Sequence, residues 1–385
     1  MREVYVTGVG MTAFGRHEGT AIEELGREAI EAALTQSGLP LSEIDIIFCG
    51  HSLQGITAGQ RVVSRVGSSG APIINVENAC ASGSTAFAQA VMAVRGGMAR
   101  AALAVGFEKM DRGPIAAAKR LDTGAAERPK GGPPVMPAMF AEVFKEHSLK
   151  YGTTVRQMAM VSAKNHGYAA LNPKAHHRDE IGVEEVLNSR MIAEPLTLLM
   201  CCPTSTGAAA AVVTGADLAR AGSKEPIEVA ASVLQSERAS AAGALHFVTE
   251  INTRAAKLAY SEAGIGPDRL DVVELHDCFA IAEICHYENL GLCERGEGGK
   301  FIEAGLSRIG GKTAVSTSGG LLAKGHPLGA TGVAQVAEIV EQLRGESDRR
   351  QVPGAKIGLS HCQGFGGAVT VHIFSKTRTK GASAA

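Results

Sequence analysis

The chain repeats part of itself. Cys80-x-x-Gly83-x-Thr85-x-x-x-Gln89 returns as His326-x-x-Gly329-x-Thr331-x-x-x-Gln335, with every matched pair 246 positions apart. A thiol and an imidazole therefore hold equivalent places in two copies of one unit. An Ala/Val-rich stretch able to coil as a buried helix follows each copy, so Cys80 and His326 are expected at or just before a helix N-terminus. Unpaired amides and the macrodipole favour a thiolate or an oxyanion there.

A second echo supports the first. SGLPLSEIDII, from Ser37 to Ile47, reappears as AGIGPDRLDVV from Ala263 to Val273, pairing Gly38 with Gly264 and Asp45 with Asp271 at an offset of 226. A helical pattern precedes each copy. Before the first, Thr20 and Glu23 read as a capping box, Ile22, Leu25, Ala29 and Ala33 as an apolar stripe, and Gly38 as the stop. The apolar runs that follow, IDIIFCG and LDVVELHD, suit buried parallel strands. Helix, strand, glycine-rich turn, helix, strand thus occurs twice. Two similar α/β halves packed about a pseudo-twofold axis would bring Cys80 opposite His326.

Composition narrows the function. At 385 residues the chain is long for one core and suits two or three lobes. A formal charge of −1, no Trp and 4% aromatics offer neither a basic field nor stacking platforms, which sets nucleic acid aside. No apolar run approaches the roughly 18 residues of a membrane span, so a soluble, intracellular protein is expected. Its eight cysteines should be reduced rather than paired. Cys201, Cys202, His276, Cys278, Cys285, His286 and Cys293 look crowded, but they contain no C-x2-C pair. Cys285 and His286 also fall inside an apolar helical stretch, so no metal is expected.

From Asp111 to Pro203 the texture changes to Pro, Met, His and charge, before a buried strand in TGAAAAVVTG. The expected division is 1–110 for the first part of the N-terminal half, 111–203 for an inserted loop domain, 204–250 for the return, and 251–385 for the C-terminal half. The insertion is long enough to carry short helices and to cover a pocket. Past Lys376 the polar tail is expected to fray.

Four pieces carry chemistry: Cys80, HDCF at 276–279, GHPLGATG at 325–332 and SHCQGFGG at 360–367. Each follows a strand or opens a helix, where α/β sheets place reactive groups. A cysteine at a helix start beside a neutral histidine is partly thiolate and a capable nucleophile. Burial as an inert thiol is the plainer reading of Cys80, and packing that of His326, which Gly325 and Pro327 hold in a stiff turn.

NACASGSTA, FEKMDRG, CCPTSTGAAAA, ELHDCF, LGLCERGEGG, GGLLAKGHPLGATG and QLRGESDRRQVPGAKIGLSH resemble the thiolase superfamily, in particular the thiolase part of the sterol carrier protein x type. The resemblance runs from Val4 to about Phe374, and HDCF followed by GHPLGATG is its most specific part. It implies a five-layered α/β/α/β/α fold of two similar halves with an inserted loop domain, acting on acyl-CoA thioesters. By position, Cys80 resembles the acyl-accepting nucleophile and His326 the base that activates it. His276 stands where many thiolases have the Asn of an NEAF motif and would join His326 around the thioester oxygen of the second substrate. The amides of Cys80 and Gly364 match a second oxyanion hole.

The sterol carrier type generally has Asn where this chain has Cys362, and its acid/base is taken to be the HDCF cysteine, here Cys278. Other thiolases use the cysteine of a C-x-G motif, which Cys362-Gln363-Gly364 reproduces. Cys362 is favoured, because in the family pattern it faces the nucleophile. Met139 and Phe140 resemble an acyl-pocket segment, with core filling equally open. Cys201 and Cys202 read as packing thiols and His51 as a solvated loop residue, with a place bordering the active site as its alternative. Lys130, Lys164 and Arg178 are conceivable partners of the coenzyme A 3′-phosphate, with a solvated face the default.

The resemblance further implies coenzyme A as substrate and product, no tightly bound cofactor, and a homodimer or tetramer. With no lipid-carrying domain or SKL-type address in the sequence, a stand-alone cytoplasmic enzyme is expected. A decarboxylating ketosynthase is a rival reading, though it needs no thiol acid/base. A catalytically idle acyl-CoA or lipid-binding subunit is another, though Cys80, His276 and His326 are all retained.

Overall fold

The computed structural model describes residues 2–110, 135–219, 224–238 and 244–376. Lys130 and the tail past Lys376 lie outside them. In chain order the first half supplies β1 (Val4–Met11), α1 (Ile22–Ser37), β2 (Ile46–Gly50), α2 (Ala58–Ser64), β3 (Ile73–Val76), α3 (Ser82–Arg95) and β4 (Ala101–Glu108). Helix α1 forms where its periodicity placed it, burying Ile22, Leu25, Ala29 and Ala33 and stopping at Gly38, whose φ of 69° is left-handed. The expected capping box does not form. Ala21 caps the helix without a side-chain bond, while the Thr20 carbonyl accepts from Lys109 Nζ at 2.7 Å and Glu23 turns to Arg61 at 3.0 Å. The Thr20 amide donates instead to the His17 carbonyl at 3.2 Å.

The inserted segment carries α4 (Val135–Tyr151), α5 (Val155–Ala169), α6 (Val183–Asn188) and a small hairpin, β5 (Met191–Ala193) with β6 (Leu196–Thr197). Here a capping box does form, Thr154 with Gln157 opening α5. The chain then returns through β7 (Gly207–Gly215), every residue of which is buried.

The remainder supplies β8 (Ile227–Ser236), α7 (Ala244–Ala263), β9 (Val272–Glu274), α8 (Ala280–Asn289), α9 (Gly298–Glu303), β10 (Ala314–Val315), α10 (Leu328–Arg344), β11 (Ile357–Gly364) and β12 (Ala368–Ser375). Strand order is β3-β2-β4-β7-β1 in one sheet and β10-β9-β11-β12-β8 in the other. Each sheet has the same pattern: the first three strands pair parallel, the last three antiparallel. The sheets touch edge to edge where Tyr5 pairs with Glu228 and Val6 with Ile227, so hydrogen bonding runs through ten strands. β8 pairs along its length with β12. We propose, on that pairing, that the second half begins at Ile227 and not at 251.

Strand alternation explains the layers. On β4, Leu103, Val105 and Phe107 face α1 and α2, while Ala102 and Ala104 face α3 and α10. On the second sheet Val371 and Ile373 face the opposite way, toward α7 and α8. Helices α3 and α10 thus lie between the sheets and the others outside, giving the five layers. The inserted helices α4 and α5 join the outer layer of the second half, sharing a core with α7 and α8.

The second echo has a structural meaning. Asp45 Oδ2 accepts from the amides of Arg100 and Ala101 at 2.6 and 3.1 Å, and Asp271 Oδ2 from those of Lys356 and Ile357 at 2.7 and 2.9 Å. Each aspartate pins the start of the neighbouring parallel strand. The first echo also gains one. A Cβ on Gly83 would lie 2.1 Å from the Gly329 carbonyl oxygen, and a Cβ on Gly332 would lie 2.4 Å from Ser84 Cβ. Only hydrogen fits where α3 and α10 cross, so their starts come together. No helix among the described residues is long and apolar enough to cross a membrane.

Candidate active site

Cys80 and His326 each follow a left-handed residue. Ala79, before Cys80, has φ 48°, and its equivalent Gly325, before His326, has φ 111°. The alanine is strained by on the order of 1 kcal/mol. Ser82 holds it there, its hydroxyl donating to the Ala79 carbonyl at 2.7 Å and accepting the Asn78 amide at 2.9 Å. Cys80 lies in a one-turn 3₁₀ segment, Ala79–Ala81, ahead of α3. The sequence suggested a partly ionised thiol. Instead, burial pushes the Cys80 thiol up to about 12, against the pull of the Phe365 amide that bonds to it. Desolvation outweighs the helix start.

His326 is a neutral imidazole of defined tautomer. Thr331 donates its one hydroxyl proton to the Pro327 carbonyl at 2.9 Å, so at 2.7 Å from His326 it accepts from Nδ1–H. Nε2 is left with its lone pair, buried and without a protein partner. Burial lowers the imidazole to about 3, which keeps it uncharged at neutral pH.

His276 closes the cage. Its ring stands edge-on to that of His326 with centroids 5.1 Å apart. The Cys80 sulfur and one ring nitrogen from each histidine all lie within 4.8 Å of one another. Burial, then the neighbouring His326, holds His276 well below the usual range. Both imidazoles are therefore neutral. Among the described residues this is the one group compact enough to hold a metal ion, and its sulfur and nitrogen donors suit zinc.

Cys362 completes the site. Its thiol lies 3.2 Å from the Cys80 carbonyl oxygen and 3.5 Å from His276 Nδ1. Burial, then Cys80, holds it well above the usual thiol range. Next on β11, Gly364 approaches so closely that a Cβ there would be 2.1 Å from the Asn78 oxygen. Its backbone thus lies against the Cys80 turn. Cys278 is also buried and raised, by burial first and then by Cys202 and Cys80. No hydrogen bond ties its thiol to Cys80 or His276, so the two candidate thiols differ in placement.

The loop that carries His326 is anchored by the HDCF motif. Asp277 accepts from the amides of Leu321 and Leu322 at 2.8 and 3.3 Å and from Asn165 Nδ2 at 2.7 Å. Burial, then Glu283, pushes its carboxyl up to about 8. Glu274 likewise accepts from the Ser318 amide and hydroxyl at 3.0 and 2.6 Å. Across the cleft, Glu108 accepts from the Gly329 amide at 3.1 Å and the Ser52 amide at 2.9 Å. Both halves therefore hold the segment that opens α10.

Other expected residues divide. Phe140 is buried with its ring stacked 4.4 Å from Phe279 of HDCF, and Met139 packs on the same core. Cys201 and Cys202 pack against the core of the second half, as expected, and the Cys202 amide donates to the Cys278 carbonyl at 3.0 Å. His51 is buried, not solvated, stacked 5.3 Å from Phe107 with Nε2 on Asn75. Lys164 is buried and paired with Glu283 at 2.8 Å, which removes it as a coenzyme A contact. Arg178 is exposed. Sequence reading missed Phe365, whose amide faces the thiol, and His361 with Asn252 behind His276. Their partners are distant in the chain, and only Thr331 could have been found, from the repeat that contains it.

Residues 4–217 match the family model described as Thiolase, N-terminal domain, and 231–376 the one described as Thiolase C-terminal domain-like. Acetyl-CoA acetyltransferase of Methanothermobacter thermautotrophicus is 41% identical over 389 residues, covering 98% of this chain and 100% of that protein. Sterol carrier protein 2 of Bos taurus is 40% identical, covering 96% and 72%. Benzoylsuccinyl-CoA thiolase subunit BbsB of Thauera aromatica is 40% identical, covering 95% of each. Of solved structures, an Ltp2-ChsH2(DUF35) aldolase superimposes with a TM-score of 0.84 at 26% identity over 98% of both chains. Human mitochondrial 3-ketoacyl-CoA thiolase, at 18% identity and a TM-score of 0.73 over 98% and 99%, shares the fold. With both family models matched in order along nearly its whole length, the chain belongs to the thiolase family and is an acyltransferase acting on acyl-CoA and CoA.

Proposed function

We propose that Cys80 is the acyl carrier of a two-step exchange. One observation carries this reading: a sulfur and two neutral imidazole nitrogens within 4.8 Å, one donor from each half plus His276. In the cleavage direction, His326 Nε2 takes the Cys80 proton as sulfur attacks the keto carbon of a 3-oxoacyl-CoA. The amides of Cys80 and Gly364 receive the developing oxyanion, and the C2–C3 bond then breaks. Its electrons pass to the departing thioester as an enolate. His276 and the newly protonated His326 face the enolate oxygen, and Cys362 gives its proton to C2. Incoming CoA then yields its thiol proton to the Cys362 thiolate and attacks acyl-Cys80; the acyl–sulfur bond breaks, the shortened acyl-CoA leaves, and the expelled Cys80 thiolate takes back its proton from His326. Condensation is the reverse. One aligned oxyanion donor is worth ~10²–10³ in rate.

Cys362 is preferred to Cys278 as the acid/base because it touches both Cys80 and His276. Phe140 and Met139, braced on Phe279, line the acyl end. Coenzyme A enters and leaves as substrate, with no resident cofactor in the scheme. A thiol raised to about 12 facing a base lowered to about 3 is a resting neutral pair. Proton transfer is therefore coupled to attack. Acetyl-CoA should acylate Cys80 once per chain and free CoA should discharge it; a chain that binds acetyl-CoA without acylation is an idle subunit, and one that extends only from malonyl-CoA is a ketosynthase.

The aldolase likeness favours a second reading. Retro-aldol cleavage also leaves a thioester enolate but transfers no acyl group to sulfur. Under that reading Cys80→Ala would keep carbon–carbon cleavage, and under ours it abolishes it. We also propose a homo-oligomer assembled through β3, an edge strand on which Ile74 is 41% exposed. Sedimentation of Ile74→Lys as a smaller species tests that. Eight unpaired thiols suit a reducing compartment, and we place the enzyme in the cytoplasm.

A further inference from the structure

β11 presents alternate faces. Cys362 and Gly364 look toward Cys80, while His361 and Gln363 look toward α7 and meet the one buried amide of Asn252. The proton positions there are fixed. Asn252 Nδ2 donates to the Val248 carbonyl and to Gln363 Oε1, both at 3.0 Å, so Oδ1 is the acceptor that faces His361. His361 Nε2, at 2.7 Å from that oxygen, therefore carries the ring proton. Nδ1 keeps its lone pair and accepts the backbone amide of His276 at 3.3 Å. The His286 ring closes the other side, centroids 4.5 Å apart. His361 is fully buried.

We infer that His361, with its tautomer set by Asn252, is a positioning residue that fixes the backbone of His276 and so aims the His276 ring at the enolate oxygen and at Cys362. The same Asn252 grips β11 on either side of Cys362, so one clamp sets the spacing between a donor to the enolate and the thiol that moves its proton. His361 touches neither Cys80 nor any reacting atom. Its contribution belongs to the half-reaction that handles the α-carbon, not to acylation of Cys80.

This inference rests on the reading given under Proposed function, and its test separates the two. In the intact enzyme, Cys80 acylation by acetyl-CoA is followed by mass, and exchange of the acetyl-CoA methyl protons by NMR in deuterated buffer. If wild-type Cys80 takes up no acyl group, the functional reading fails whatever His361 does. If it does, His361→Leu should acylate within about twofold of wild type while exchange and condensation kcat fall ~10- to 100-fold, the usual range for supporting residues. KM for the acylating substrate should hold. His361→Gln, which can accept the His276 amide and donate to Asn252, should recover most of the loss, and Asn252→Leu should reproduce His361→Leu without adding to it. Acylation and exchange falling in parallel, or a glutamine variant as impaired as leucine at an unchanged melting temperature, would overturn the assignment.

Discussion

The Cys362 thiol sits 3.2 Å from the carbonyl oxygen of Cys80 and 3.5 Å from His276 Nδ1, so one side chain touches both the proposed nucleophile's backbone and the proposed second-substrate histidine. Cys278, though buried nearby, makes neither hydrogen bond. Cys362→Ala should therefore abolish α-proton exchange and condensation while acyl-Cys80 still forms. Cys278→Ala should retain exchange to within about an order of magnitude, since it removes no proton-transfer group. The opposite ranking passes the role to Cys278.

The tautomer of His326 depends on one hydroxyl. Thr331→Val removes the acceptor for Nδ1–H and frees the ring to place its proton on Nε2, where it cannot take the Cys80 proton. Stopped-flow acylation should slow by ~10²-fold, in line with loss of general-base assistance. Thr331→Ser, which keeps the oxygen, should stay close to wild type.

Burial of Cys80 sets its pH response. With the thiol pushed up to about 12, it stays protonated across the neutral range. Its alkylation by iodoacetamide should rise about tenfold per pH unit from pH 7 to 10 without a plateau, because only the thiolate reacts. A plateau near neutrality would instead reveal an ionised resting thiol.

Three soft donors in one cage should trap a metal. Micromolar zinc is expected to inhibit competitively with acyl-CoA and to be reversed by EDTA, because capture requires the Cys80 thiolate and both imidazoles. Zinc that leaves acylation of Cys80 unaffected would show the geometry to be wrong for chelation.

Close approach of the central helices can be tested at Gly83. A methyl there would lie 2.1 Å from the Gly329 oxygen, so Gly83→Ala must separate the two helix starts. It should destabilise by about 1–3 kcal/mol and lower kcat by ~10²-fold, since misplacement near 1 Å suffices. Gly167→Ala, inside α5 with nothing within 4 Å of its Cβ, should gain up to about 1 kcal/mol and leave kcat unchanged. Thermal melts alongside kcat decide both.

The sequence spoke clearly where one physical task is performed twice. Asp45 and Asp271 could be paired by eye because each pins the start of a parallel strand. Gly83 and Gly329 could be paired because the two helix starts share one tight crossing. It misled where tertiary neighbours decide. Thr20 and Glu23 spell a cap, but the helix starts one residue later and Glu23 turns to Arg61, 38 positions away. Cys80 sits where a local argument lowers a thiol, yet burial raises it, and its neighbours His276 and His326 come from the other half. His361 and Asn252 are 109 positions apart, and nothing in either segment announces the other. The edge pairing of β1 with β8 is equally silent, since two residues of ladder leave no periodicity to read.

Because each sheet is complete on its own side of the short β1–β8 contact, a break in the chain between Gly215 and Ile227 would sort the sulfur into one fragment and the imidazoles into the other. Neither piece could turn over substrate by itself. Recovered turnover on mixing would then count reassembled molecules, making this enzyme a reporter of its own complementation.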